Sequence, residues 1–360
     1  MIPYNGKSRS AVNVIKTVFF DSPEWTPCTV SIMPATWMKY REDIEEIVLA
    51  HPRVFPGYTK GSRDFDYNPN PLYQPGFHTD CWGCVWENIE KGLDGMVVEH
   101  PLENWSALES WKPPDPLTDG MFGPRPSWDE VEKQMEEAKA AGRVAQGWPL
   151  PHGFFYMLLY YLRGFDNFMM DMATQDPRLE KLIDIIETYN VTVISKYMDC
   201  GAEMIYVGED LGLQKSLPIS PDMWRKFIKP SYEKMLGQCR DRNIPVRLHS
   251  DGNILEIIPD LIDVGVCLLN PQIRANGLEG LVETARGKVA LDQDLDRQLF
   301  PFATPSEIED HIGEVHEGLY DPRGGLLLHA ECEPDVPLEN VDAICTALEE
   351  VCDLPPAAPA

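Results

Sequence analysis

EMIYVGEDLGLQKSLPISPDMWRKFIKPSYEKMLGQCRDRNIPVRLHSDGN, residues 203–253, sets the reading of the whole chain. A short apolar run (203–207) ends in an acid-rich turn. A helical segment follows with Pro221 at a first-turn position, and a second apolar run (245–249) ends in another polar turn. This is one strand–helix–strand unit, the building block of a parallel sheet wrapped by helices. Working outward, the same alternation gives strands at 143–148 (RVAQGW), 264–269 (VGVCLL), 288–291 (KVAL) and 325–329 (GLLLH). Adding 28–33 (CTVSIM) and a weaker run near 53–55 makes eight. Helix starts are marked between them: Ser127 with Glu130 and Thr304 with Glu307 form capping-box patterns, and Pro177 and Pro305 also sit where a first turn tolerates proline. The pattern predicts an α/β fold, a closed (β/α)8 TIM barrel, rather than an open sheet.

No linker, low-complexity run or internal repeat divides the chain, so one domain is expected over 1–353, with LPPAAPA (354–360) a disordered tail. Residues 57–125, rich in Pro, Gly, Asn, Asp and Trp, break the rhythm and read as an insertion. Within it a strand near 79–88, a turn over Lys91–Gly95 and a strand near 96–100 predict a β-hairpin lid lying over the C-terminal mouth of the barrel.

A net charge of −27 argues against nucleic acid and anionic membranes, which are bound by neutralising phosphates with Lys and Arg. Nine cysteines, odd in number and scattered, argue against a disulfide framework and for a reducing, cytoplasmic location. No signal peptide is visible, and no run approaches the ~18–20 apolar residues a membrane span needs.

In such a barrel the active site collects at the C-terminal ends of the strands. Five strand ends carry polar groups there: Glu209, Asp210 and Gln214; His249, Asp251 and Asn253; Asn270 and Gln272; Asp292 and Asp294; His329, Glu331 and Cys332. His249 and Asp251 are two residues apart, so on extended backbone both point the same way. With Glu209 and with Glu331 or Cys332 they offer the N, O and S donors of a zinc site. An acid-and-histidine cluster of this kind is either that or a metal-free polar pocket. Asp210, Asp251 and Asp292 are the candidate catalytic acids. Tyr206, Gln214 and Asn270 are candidates to touch substrate.

Cys81-Trp-Gly-Cys84 resembles a dithiol motif, but on a strand its two sulfurs face opposite ways and no second pair completes a ligand set. Trp82 and Trp86, four residues apart, line one face and either cover an aromatic substrate or pack on the barrel rim. The aromatic band in PHGFFYMLLYYLRGFDNFMMDM (151–172) has helical spacing and reads as core. Phosphate-binding glycine loops and a G-x-S-x-G elbow are absent, which removes nucleotide-dependent and serine-hydrolase chemistry.

Several stretches together resemble a known superfamily. GEDLGLQKSLPISPDMWRKFIKPSYEKM, IPVRLHSDGNILEIIPDLIDVGVCLLNPQ, KVALDQDLDRQLFPFATPSEIEDHI and PDVPLENVDAI are similar in order and spacing to the uroporphyrinogen-decarboxylase-like superfamily. HTDCWGCVWENIEKGLDGMVVEHPLENWSALESWKPPDP and YYLRGFDN resemble its corrinoid-dependent methyltransferase and O-demethylase branch. The N-terminal basic cluster by which true uroporphyrinogen decarboxylases hold substrate carboxylates is missing. Methyltransferases of the superfamily bind zinc through His-x-Cys and a later Cys. Here the pair is His249-Ser-Asp251, and the later position falls at Cys332 or Glu331. Fewer thiolates leave a zinc more electrophilic, suited to activating an ether oxygen.

The resemblance implies a methyltransferase that removes a methyl group from a methoxylated, aromatic small molecule. The acceptor would be cobalamin carried by a separate corrinoid protein, since this chain has no Asp-x-His-x-x-Gly pattern. Zinc is the expected metal, and a homodimer the oligomer to look for. Two other readings stand beside it: a metal-free decarboxylase using Asp210, Asp251 or Asp292, and a non-catalytic small-molecule binding barrel.

Overall fold

The computed structural model describes residues 2–66 and 70–356; the end of the tail expected to be disordered, 357–360, lies outside them. Ten strands matter here: β1 (Cys28–Ile32), β2 (Gly76–Thr79), β3 (Val85–Asn88), β4 (Met96–Glu99), β5 (Gln146–Gly147), β6 (Met204–Glu209), β7 (Val246–Ser250), β8 (Val266–Pro271), β9 (Ala290–Asp294) and β10 (Leu326–Cys332). The helices that position the site are α1 (Tyr156–Arg163), α2 (Phe165–Thr174) and α3 (Pro177–Asp199).

The contacts group the chain into two compact units. The first holds the residues up to Val12, Gly76–Glu87 and Gly95–Leu269. Its strands β5, β6, β7 and β8 are neighbours in that order, with β5–β6 and β6–β7 parallel; Tyr206 lies opposite Arg247 and Glu209 opposite Ser250. Burial along β6 is almost continuous, as expected of a parallel strand covered on both faces. In α3, which is 23 residues long, Leu179, Leu182, Ile183, Ile186, Val193 and Ile194 are buried at three- and four-residue spacing. Each buried aliphatic side chain of this kind contributes about 1.5–3 kcal/mol. Asp176 caps the helix by accepting from Arg178 N–H, and Pro177 fills its first turn.

The second unit holds Asn13–Pro75, Asn88–Asp94 and the residues from Asn270 onward. There β10 is paired in parallel with β1 on one side and β9 on the other, Ile32 opposite Cys332 and Asp292 opposite Leu327. The Gln272–Asp294 bridge continues the ladder past the end of β8. Every residue of β9 is buried, polar ones included.

The α/β class and seven of the expected strands are present, an arrangement compatible with a (β/α)8 barrel. The eighth is not a strand: residues 52–55 form turns after a helix that ends at Ala50, with Val54 and Phe55 N–H both donating to His51 O. Pro52 and Pro56 bracket that run and supply no N–H to a ladder. The hairpin forms as β3 and β4, antiparallel, with β2 added beside β3. Its first strand is shorter than the expected 79–88, because residues 81–84 are a turn. Among the described residues no helix is long and apolar enough to cross a membrane.

Candidate active site

The turn at 81–84 is built on one carboxylate. Asp80 is buried; its Oδ1 accepts from Trp82 N and Cys84 N, both at 2.9 Å, and its Oδ2 from Trp86 Nε1 at 2.8 Å. Burial raises its carboxyl above the usual range while these N–H groups pull it down. The turn sends Trp82 against Trp111 (centroids 6.0 Å, stacked) and edge-on to Tyr189 (4.8 Å), and Trp86 edge-on to Tyr161 (5.1 Å). Both tryptophans line a cavity of about 230 Å³ whose other walls include Arg125, Trp148, His152 and Leu158. Cys81 also borders it, with its thiol pushed up to about 12 by burial, and Cys84 Sγ donates to Tyr161 O. Neither sulfur is a thiolate near neutral pH.

His152, on the cavity wall, is one of three donors that gather together. His152 Nε2 lies 3.0 Å from Asp210 Oδ1, and the rings of His152 and His249 are 5.5 Å apart between centroids. The ligand atoms of His152, Asp210 and His249 all fall within 4.8 Å of one another. His249 Nε2 is in turn 3.3 Å from Asp251 Oδ1.

Local backbone chemistry explains the convergence. His152 follows β5 in a loop pinned by Gly153 N–H to Gly208 O (2.8 Å). A Cβ on Gly208 would stand 2.7 Å from His152 Nδ1, so only glycine lets the imidazole settle over β6. Asp210 and Asp251 leave β6 and β7 side by side. Leu211 N donates to Ser250 Oγ (3.0 Å), Gly212 N to Asp251 O (3.2 Å) and Asn253 N to Leu213 O (2.7 Å). Gly252, at φ +79°, packs backbone to backbone on Gly212, where any Cβ would meet carbonyl atoms at 2.1 Å.

Glu209 does different work from the one expected of it. Its fully buried carboxylate accepts from Phe155 N (2.6 Å), Tyr156 N (2.7 Å) and Met157 N (3.0 Å), the orphan donors at the start of α1. Burial pushes its carboxyl up to about 7 against those bonds. It therefore holds the His152 loop against the sheet rather than joining the donor cluster. Of the other residues singled out in the sequence, Tyr206 lies against Trp148 (4.1 Å between centroids) with the Arg247 guanidinium 5.1 Å from its ring centre, and Gln214 is exposed.

The remaining four belong to the second unit. Asn270 donates through Nδ2 to Asp292 O, and Asp292 is buried on β9. Glu331 pairs with Arg297 at 2.5 Å. Cys332 is fully buried, its thiol pushed up to about 12, and its carbonyl accepts from Thr36 Oγ1 (2.8 Å) and Met33 N (3.2 Å). Sequence reasoning missed His152, which sat inside the aromatic band read as core. Phe154, Phe155, Leu159 and Leu162 of that band are indeed buried. The signal was available, since His152 lies four residues past a recognised strand.

Comparison with known proteins follows the same outline. The model of the family described as uroporphyrinogen decarboxylase (URO-D) matches residues 93–351, more than half of the chain. The chain belongs to the URO-D family. His152, Asp210, His249 and Asp251 all lie inside the part that matches the URO-D family, whereas the Asp80 turn with Trp82 and Trp86 precedes it. Among solved structures, a methyltransferase from Methanosarcina mazei shares the fold: TM-score 0.59, 18% identity, 95% of this chain and 98% of that one covered. More remote are a dihydropteroate synthase from Xanthomonas albilineans (TM-score 0.30, 15% identity, 46% of this chain and 62% of that one) and a putative vitamin-B12-independent methionine synthase from Listeria monocytogenes (0.35, 14%, 50% and 56%). No curated protein matches this URO-D family chain.

Proposed function

We propose that this URO-D family member is a zinc-dependent methyltransferase that removes the methyl group of a methoxylated aromatic compound and passes it to the reduced cobalt of a separate corrinoid protein. The observation that carries this is the meeting of two imidazoles and a carboxylate, one of the imidazoles, His152, lining an aromatic-walled cavity. The donor set fits zinc. Nitrogen and oxygen ligands at ~2.0–2.2 Å in a tetrahedral arrangement need donors about 3.4 Å apart, so the 3.0 Å His152–Asp210 pair would open slightly and the wider separations, up to 4.8 Å, would close. His152, Asp210 and His249 would hold the ion, and Asp251 beside His249 would orient that ring. Bound there, zinc would supply Lewis-acid polarisation of an ether oxygen and so ease departure of the phenolate.

The chain's own groups supply the rest. Trp82 and Trp86 offer ring faces and edges to a planar substrate. The carbon–oxygen bond breaks with its electron pair going to the phenolate, which takes a proton from solvent. The methyl carbon forms its new bond to cobalt, the second substrate. A cavity of about 230 Å³ suits one ring, being below the ~300–1,000 Å³ of larger ligand sites. Its lining has a single Arg and no Lys, which speaks against an octacarboxylate macrocycle.

The test combines metal analysis with turnover. Purified protein should hold about one zinc per chain and, with a reduced corrinoid protein, convert a methoxybenzene derivative to the phenol with a matching change in the cobalamin spectrum. Full turnover by metal-stripped protein, or decarboxylation of a porphyrinogen without any methyl transfer, would replace this reading.

A further inference from the structure

One residue of the cavity wall is not used by the reaction above. Arg125 follows a small hairpin (119–120 paired with 123–124) and is anchored through Arg125 N–H to Thr118 O (2.8 Å). Its guanidinium donates to Pro149 O (3.1 Å) and to Tyr189 Oη (3.0 Å), and lies 5.6 Å from the centre of the Trp128 ring. Its Nε is buried without a partner, so the protein does not use all five of its N–H donors. These partners are a carbonyl and a hydroxyl rather than a carboxylate, although the chain has 58 acidic residues against 31 basic ones. The acid on the same cavity wall, Asp80, spends both oxygens on Trp82, Cys84 and Trp86. A half-buried guanidinium that lines the cavity with no ion-pair partner within hydrogen-bond distance among the described residues is suited to an anion that arrives with the ligand.

We infer that Arg125 receives a carboxylate, so that the ligand class of this cavity is aromatic carboxylic acids: a ring held among Trp82, Trp86 and Tyr189 with its acid group on the guanidinium. A planar carboxylate matches the planar fork of arginine, which a neutral alcohol or ester cannot engage in the same way. The aromatic walls alone would also accept a quaternary ammonium ion, but a cation would share the cavity with a guanidinium of like charge. The inference deepens the methyltransferase reading and concerns binding alone. It can therefore be tested without turnover.

Isothermal titration calorimetry of the purified full chain, at fixed ionic strength, compares the three isomeric methoxybenzoates and plain benzoate with the corresponding benzyl alcohols and methyl esters. At least one acid should bind about tenfold or more tightly than its alcohol and ester, the size expected of a charge-assisted pair. Arg125→Met should remove that advantage while leaving the alcohol's affinity unchanged, and Arg125→Lys should recover part of it. Acid and alcohol binding equally to the unaltered protein would overturn the inference, as would absence of binding by every acid. Both of those outcomes are read on the unaltered chain and do not depend on a variant folding. Benzoates that bind without ever donating a methyl group would leave the inference standing and remove the methyltransferase reading. Methyl transfer from neutral ethers with no acid bound would do the reverse.

Discussion

The ends of β6 and β7 in the first unit and the ends of β9 and β10 in the second carry the same kinds of residue, yet they end up in different chemical states. At β6 and β7, Asp210, His249 and Asp251 turn toward one another and toward His152, beside a cavity. At β9 and β10, Asp292 is buried within a fully buried strand, Glu331 is neutralised by Arg297, and the Cys332 thiol is held protonated. The difference lies in what the backbone does next. Gly212 and Gly252 let two loops touch and aim their acids at a common point, while in the second unit an arginine is already in place. A carboxylate at a strand end is a candidate; its neighbours decide whether it is available.

Removing donors should break that contrast most sharply. His249→Ala and His152→Ala are each expected to lose zinc, seen by elemental analysis, and to lower kcat/KM at least ~100-fold. Glu331→Gln should leave zinc content unchanged. A zinc stoichiometry that follows Glu331 and ignores His152 would move the metal to the second unit.

Glu209→Ala tests whether that residue positions rather than ligates. Three buried N–H groups lose their acceptor at once, and the chain should lose about 3 kcal/mol in urea denaturation. Glu209→Gln keeps one acceptor oxygen and should retain zinc. Loss of metal at full stability in Glu209→Gln would return Glu209 to the ligand set.

Trp82→Phe keeps most of the packing on Trp111 and Tyr189 but narrows the aromatic wall. Affinity for a methoxylated ring should fall about three- to tenfold by calorimetry, with zinc content untouched. The smallest effect concerns a residue far from either cluster. Asp176 caps α3 and its carboxyl is held at about 2 by Arg178, below its ordinary 3.8. A lowered folded-state value means its stabilisation is complete above pH ~4 and is lost as pH falls toward 2. Asp176→Ala should cost about 1 kcal/mol at neutral pH and markedly less at pH 2, measured as the difference in unfolding free energy between the two proteins.

Much of the fold is legible in apolar runs because parallel strands covered on both faces must be apolar nearly throughout, as β6 and the first half of β10 are. Boundaries are less legible. The run 143–148 shrinks to Gln146–Gly147, since Pro149 and Pro151 soon end any ladder. The run at 53–55 fails between two prolines. Asp210, His249 and Asp251 are legible from their place after strands, and Trp82 and Trp86 from their spacing. His152 is hidden by the aromatic company of Phe154 and Phe155, whose burial dominates any periodicity argument. Glu209 shows the limit of that strand-end rule, because adjacent residues on an extended chain face opposite ways. Once Asp210 faces His152, Glu209 faces the packed interior, where the start of α1 supplies its partners.

The Asp80 turn gives the molecule a particular way of changing. One carboxylate fixes the backbone at Trp82 and Cys84 and the indole of Trp86, so a substitution at this single codon would reset two ring contacts together. The turn precedes the stretch that the family shares, and the donor cluster lies within it. The aromatic contacts set by Asp80 and the cluster of His152, Asp210 and His249 thus rest on separate stretches of chain, so a change at Asp80 would alter the cavity wall without touching any residue of that cluster.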